Sequence, residues 1–170
     1  MSGKFVITQG EYHVSNDPTA TISTLLGSCV SCCLWDPVAG VGGMNHILLA
    51  SHSQQSLNVD DLAGANAMEL LINDMLKLGG QRSRFQAKAF GGAQMVSGLS
   101  NIGPTNSTFL LDYLDRENIP CVSHSLGGEI ARQVVFVPVT GAARIKARHQ
   151  APVEEVVQPA APVGNDLELF

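Results

Sequence analysis

Residues 25–46 read LLGSCVSCCLWDPVAGVGGMNH, and this stretch decides the fold. Its middle, Asp36-Pro37-Val38-Ala39-Gly40, is turn chemistry: an aspartate before a proline, then a closing glycine. Apolar, β-branched and small residues flank it on both sides. Residues 30–35 and 41–49 are therefore expected to fold back on each other as an antiparallel hairpin. Cys29 enters that hairpin and His46 leaves it. Centring the turn on Val38 pairs Cys29 with Ile47, and a register shifted by one residue pairs Cys29 with His46. Directly paired residues hold their Cβ atoms about 4.5–5.5 Å apart, which lets a thiol meet an imidazole.

Cysteine attacks as the thiolate, which a neighbouring histidine favours. Gly27 and Ser28 leave the backbone before Cys29 uncluttered, so N–H groups here are candidates to face an oxyanion. Gly42, Gly43, Gly91 and Gly92 are candidates for a slot that admits a substrate backbone. A zinc site would draw on Cys29, Cys32, Cys33 and His46. Cys32 and Cys33 are neighbours in a strand, however, and face opposite ways, so one site cannot easily use both. Cys32, Cys33 and Cys121 are expected as small buried apolar residues. No metal and no organic cofactor is expected. On spacing alone, both a catalytic dyad and simple burial remain open for Cys29.

Outward from this stretch, residues 4–8 and 20–26 read as strands. Residues 60–78 read as a helix, with Met68, Leu71, Ile72 and Met75 on one face, Asn58 or Asp60 as cap and Gly79 as stop. A strand at 84–90 runs into FGGAQM. A second helix is expected at 106–118, capped by Asn106, halted before Pro120 and facing the core with Leu110, Leu111 and Leu114. Strands follow near 119–124, 132–138 and 142–147. The fold class is α+β, with antiparallel hairpins dominating the N-terminal half. Residues 1–149 form one domain. Residues 150–170, rich in Pro, Ala and Val with acidic residues, read as a flexible tail whose end, DLELF, is suited to docking a partner.

The chain has 170 residues, 45 % of them hydrophobic and 15 % charged, enough for a core without disulfides or metal as staples. Its net charge of −5 and lack of a basic cluster argue against nucleic acid as partner. No apolar run is long enough to insert in a membrane, and the N-terminus turns polar too early for a signal peptide. A cytoplasmic location is expected, with reduced thiols.

The opening stretch, extended to LLGSCVSCCLWDPVAGVGGMNHILL, resembles the signature of the CheD family, the chemoreceptor glutamine deamidases of bacterial chemotaxis. GEYHVS at 10–15, KAFGGAQM at 88–95, NIGPTN at 101–106 and LGGEIARQVVFVPVTGAARIK at 126–146 carry the resemblance across residues 5–147. It implies hydrolysis of selected glutamines in methyl-accepting chemotaxis receptors to glutamate, through a cysteine thioester, with ammonia released. Cys29 falls on the family's nucleophile and His46 on its histidine. The family's third residue, a threonine, falls on Ser23 in an ungapped match, with Thr24 one place later. The implied fold is a layered α/β sandwich of antiparallel hairpins with outer helices, similar to toxin-type glutamine deamidase domains. The implied partners are the receptor's cytoplasmic domain and a CheC-type phosphatase. The alternative function is a regulatory binding module for that phosphatase, with weak or no catalysis. Thr105 and Ala131-Arg132 depart from the family pattern, which commonly has an arginine and a Gly-Arg pair there.

Overall fold

The structure is a computed structural model describing residues 3–49, 57–95, 101–148 and 167–170. The strands are β1 (Lys4–Val6), β2 (Tyr12–Ser15), β3 (Thr21–Leu26), β4 (Val30–Asp36), β5 (Val41–Asn45), β6 (Gln86–Gly91), β7 (Cys121–Leu126), β8 (Ala131–Val137), β9 (Ala142–Arg148) and β10 (Leu167–Leu169). The helices are α1 (Leu57–Lys77) and α2 (Ile102–Arg116). One sheet has the order β1-β3-β8-β9-β10 and the other β2-β5-β4-β6-β7. Two pairings, β1 with β3 and β6 with β7, are parallel, and the rest are antiparallel.

The class is α+β, in three layers. Helix α1 packs on β2 and β5, and α2 on β4, β6 and β7, so both helices cover one face of the second sheet. Its other face meets the first sheet. The central strand β4 explains this arrangement, because all seven of its residues are buried. Val30, Cys32 and Leu34 point to the helices, where Met68, Leu71, Ile72 and Met75 meet them. Cys33 and Trp35 point the other way, among Ile22, Val134 and Phe136. A strand buried on both faces reads as an unbroken apolar run, which is what VSCCLW is. Cys32 and Cys33 thus lie on opposite faces.

The expected hairpin forms between β4 and β5. Asp36 Oδ1 accepts from the N–H groups of Val38 at 2.9 Å and Ala39 at 3.0 Å. Its register pairs Cys33 with Met44 and Asp36 with Val41. That is one residue away from the register centred on Val38, and shifted opposite to the one that would pair Cys29 with His46.

Other boundaries move for local reasons. Helix α1 begins at Leu57, so Asn58 and Asp60 lie inside it, past the N-cap position. Helix α2 begins at Ile102, not at Asn106. Pro104 falls in its first turn, where a missing N–H costs nothing. The core face of α2 uses Phe109, Leu110, Tyr113 and Leu114, whereas Leu111 is exposed. Strand β2 has no counterpart in the sequence reading. Of the tail, residues 150–166 lie outside the described residues, while Leu167–Leu169 pair with Lys146–Arg144 as an edge strand.

Candidate active site

Cys29 sits where the chain crosses from β3 in one sheet to β4 in the other. The crossing, Gly27-Ser28-Cys29, has all three carbonyls engaged by the protein. Gly27 O accepts from Ala93 N at 3.0 Å and Cys29 O from Gly92 N at 2.8 Å. Ser28 O accepts from the Asn106 side-chain amide at 2.8 Å. Gly91 allows this closeness, since a Cβ there would stand 2.2 Å from Cys29 O and its φ is +107°. The close approach of Gly91 and Gly92 is therefore to the chain's own backbone around Cys29.

His46 follows β5. Beyond it the ladder resumes with one bridge, Val30 N to Ile47 O at 3.0 Å and Ile47 N to Val30 O at 2.8 Å. In this register Leu48 lies across from Cys29, and His46 lies two residues from Leu48 on the same face. Cys29 and His46 are thus diagonal neighbours on the face toward the first sheet, not a direct pair. Diagonal neighbours are about 7–8 Å apart at the backbone, within reach of long or aromatic side chains. Asn45 spans the irregular step, its Oδ1 accepting from Cys32 N at 2.9 Å. The His46 backbone is fixed to the β1–β2 turn, with His46 N donating to Glu11 O at 3.0 Å and Gly10 N to His46 O at 2.9 Å.

Thr24, on β3, faces His46. Its Oγ1 lies 2.7 Å from His46 Nδ1 and also 2.7 Å from Ile7 O. A carbonyl only accepts, so the hydroxyl proton goes to Ile7 O. Thr24 Oγ1 must then accept from Nδ1–H, and this fixes the imidazole tautomer with Nε2 unprotonated. That Nε2 is buried and has no hydrogen-bond partner among the described residues. Ser23, the neighbour on β3, has its backbone paired with Val6 and Val135, and successive side chains of a strand face opposite sides. The structure brings Thr24, not Ser23, to the histidine.

Burial dominates the electrostatics. His46 is 1 % exposed, and burial lowers its pKa to about 4 against a weaker upward pull from Glu11. At neutral pH the imidazole is a neutral base, not a standing cation beside the thiol. Burial pushes the Cys32 and Cys33 thiols well up, so they stay protonated. Among the described residues no three His, Cys, Asp or Glu side chains come together to hold a metal. Next to His46 lies a cleft of about 280 Å³ between the β1–β2 turn and α1, bordered by Gly10, Glu11, Leu48, Asn66 and Leu70.

The sequence reading missed the role of Asn106. Buried completely, it joins the two halves of the site. Its Nδ2 holds Ser28 O, and its Oδ1 accepts from Leu49 N at 2.9 Å. Its position in NIGPTN was visible, but an asparagine near a helix start signals a cap before it signals a clamp.

Comparison with known proteins agrees with this architecture. The family model described as CheD chemotactic sensory transduction matches residues 48–147. A Rhizobium johnstonii protein named probable chemoreceptor glutamine deamidase CheD is 47 % identical, over 96 % of this chain and 94 % of its own. Proteins of the same name from Agrobacterium fabrum (44 % identical, 96 % and 94 % covered) and a Caulobacter species (47 %, 98 % and 93 %) are similar to the same extent. The chain belongs to the CheD family. A crystal structure of a Neisseria meningitidis protein of the DUF152 family model has the same fold, with a TM-score of 0.51 over 80 % of this chain and 75 % of its own, at 10 % identity. Among the described residues no helix is long and apolar enough to cross a membrane.

Proposed function

We propose that this chain is a chemoreceptor glutamine deamidase of the Cys–His type, acting in the cytoplasm on the receptor's cytoplasmic domain. The buried Nε2 of His46, which has no hydrogen-bond partner among the described residues, carries this reading. A buried acceptor without a partner costs about 1–3 kcal/mol, and a base waiting for a thiol proton accounts for it. The relatives' shared name supplies the substrate class.

In the proposed reaction Nε2 takes the Cys29 proton as sulfur bonds to the glutamine carboxamide carbon. The carbonyl electron pair moves to oxygen, and backbone N–H groups around Gly27–Cys29 stabilise that oxyanion. As the oxygen pair returns, the C–N bond breaks, Nε2–H protonates the nitrogen, and ammonia leaves. A thioester remains. Water attacks it while Nε2 takes one water proton. The C–S bond then breaks, glutamate departs, and the proton returns to sulfur. Thr24 keeps Nδ1 protonated throughout, so that Nε2 is the basic nitrogen in both half-reactions. A CheC-type phosphatase is the proposed second partner, on family resemblance.

The test is incubation with a purified receptor cytoplasmic fragment, following ammonia and the mass of tryptic peptides. Conversion of particular glutamines to glutamate, lost in Cys29→Ala, is expected. No conversion by the folded wild-type chain would leave the phosphatase-binding reading in its place.

A further inference from the structure

Arg132 touches none of the reacting atoms, yet it ties the two sheets together where the chain crosses between them. It lies in β8, paired with Leu26, the last residue of β3 before the Gly27-Ser28-Cys29 crossing. Its half-buried side chain leaves the first sheet and reaches the ends of β6 and β7 in the second. Nη1 donates to Gly91 O at 2.9 Å, Nη2 to Gly127 O at 2.6 Å and Nε to Ser125 Oγ at 3.1 Å. One planar fork thus holds three oxygens at the ends of two strands.

Those strand ends carry the backbone of the nucleophile. Gly91 runs directly into Gly92 and Ala93, whose N–H groups donate to Cys29 O and Gly27 O. Gly127 N also donates to Gly91 O, at 2.9 Å, and Gln94 N to Gly128 O, at 2.8 Å. Gly91, Gly92, Gly127 and Gly128 all take positive φ, at +107°, +65°, +86° and +72°. Glycine has the most backbone freedom to lose on folding, so a support built from four of them is soft unless something outside fixes it. Charge-assisted hydrogen bonds are the stronger kind, and a guanidinium delivers them in set directions.

Direction matters because peptide groups are planar and trans. Fixing a carbonyl fixes the N–H of the next residue, which points the opposite way. Ala93 N on Gly27 O sets the direction of Ser28 N–H, and Asn106 on Ser28 O sets that of Cys29 N–H. Gly92 N on Cys29 O fixes the peptide group that follows the nucleophile. The planes on either side of the Ser28–Cys29 peptide are therefore held by the segment that Arg132 grips.

We propose that Arg132 is a positioning residue for the deamidation: it stiffens the glycine support at 91–93 and so aims the backbone N–H groups of the crossing at the oxyanion. This rests on the Cys–His deamidase reading. A misplacement of about 1 Å caused far from the reacting atoms can cost about 10²-fold in rate. Loss of the guanidinium is therefore a kinetic defect, with the Cys29, His46 and Thr24 side chains themselves untouched.

The experiment compares two rates in wild type, Arg132→Met and Arg132→Lys. Deamidation of the receptor cytoplasmic fragment needs both the thiolate and an oxyanion held in place. Alkylation of Cys29 by iodoacetamide at pH 7 needs the thiolate and forms no oxyanion. In Arg132→Met, kcat should fall at least about tenfold with KM within about twofold, while the peptide-resolved alkylation rate of Cys29 stays within about twofold of wild type. Arg132→Lys keeps the charge and the stem but not the fork, and should lose as much. An arginine that served the fold alone would lower the melting temperature and leave kcat unchanged below it. Wild-type kcat in Arg132→Met, recovery of kcat in Arg132→Lys, or alkylation that falls in step with kcat would each overturn the proposal. Unfolding of both variants, seen as rapid alkylation of Cys32 and Cys33, would also overturn it. A wild-type chain that releases no ammonia overturns the deamidase reading and this proposal with it, whereas an active wild type with any of the other outcomes overturns this proposal alone.

Discussion

Thr24 Oγ1 and His46 Nδ1 lie 2.7 Å apart, and the threonine proton is committed to Ile7 O. The hydroxyl is thereby an acceptor toward the imidazole, the role a buried carboxylate plays in serine protease triads, without its charge. Thr24→Val should lower kcat by about 10- to 100-fold with little change in KM, less than the roughly 10⁴-fold lost when a charged orienting group is replaced. Thr24→Ser should recover most of the rate, and Ser23→Ala should stay within about twofold of wild type. Steady-state ammonia release measures all three. Equal losses in Ser23→Ala and Thr24→Val would assign the orientation of the ring to some other group.

Burial holds the His46 pKa near 4, and Glu11 opposes that shift. The base is unprotonated above that pH, so the acid limb of kcat/KM should fall near 4 and not near the 6.5 of free imidazole. Glu11→Gln removes the upward pull and should move the limb lower. The stability consequence has the same direction. The folded state releases its proton more readily than the unfolded one, so stability is full above about 6.5 and declines as pH falls toward about 4. A limb at 6.5 in wild type would contradict the buried, neutral base. Peptide-resolved alkylation gives an independent check. Cys29 should react with iodoacetamide more slowly in His46→Ala than in wild type at pH 7, while Cys32 and Cys33 stay slow in both.

Asn106 ties Ser28, before the nucleophile, to Leu49, after the histidine. Asn106→Ala should strand a buried carbonyl and a buried N–H, at about 1–3 kcal/mol each. Asn106→Asp keeps the acceptor for Leu49 N and loses the donor to Ser28 O. Its kcat should fall while more of its thermal stability survives than in Asn106→Ala. Wild-type kcat in either variant would make the clamp irrelevant to the chemistry.

What the sequence made legible follows from how local each signal is. The hairpin at 30–45 was visible because its turn residues and its two-sided apolar strand lie side by side. Its register was not, since the four residues 37–40 between Asp36 and Val41 set the pairing, and the reading had centred on Val38. The ungapped family match puts the third residue on Ser23, whereas the alternation of side chains along β3 in the folded sheet brings Thr24 to His46. The parallel pairings β1–β3 and β6–β7, and the passage of the chain between sheets at Gly27–Cys29, are non-local and leave no period in the sequence. Phe170 pairs with an edge that β9 creates, and composition alone described its surroundings as a tail.

Asp36 gives the sharpest prediction on stability, because the turn that shapes the site depends on it. It is fully buried, and Arg84 Nη2 lies 2.9 Å from its Oδ2. Its oxygens also accept from Val38, Ala39 and Gln81 N–H groups. Burial alone would raise its pKa, but Arg84 and the three backbone donors outweigh it and hold the carboxyl well below the usual carboxylate range. The folded pKa is depressed, so the contribution is fully present above the unfolded value of about 3.9 and is lost as pH falls through the folded value. Asp36→Asn removes the charge and leaves Arg84 half-buried without its partner, for a loss of about 2–4 kcal/mol at pH 7, near the lower end of what breaking a buried pair costs. Thermal unfolding from pH 7 to pH 2 should show a steeper acid decline in wild type than in Asp36→Asn, with the two curves converging at the lowest pH. Parallel curves across that range would mean that Asp36 is not the group whose protonation loosens the hairpin.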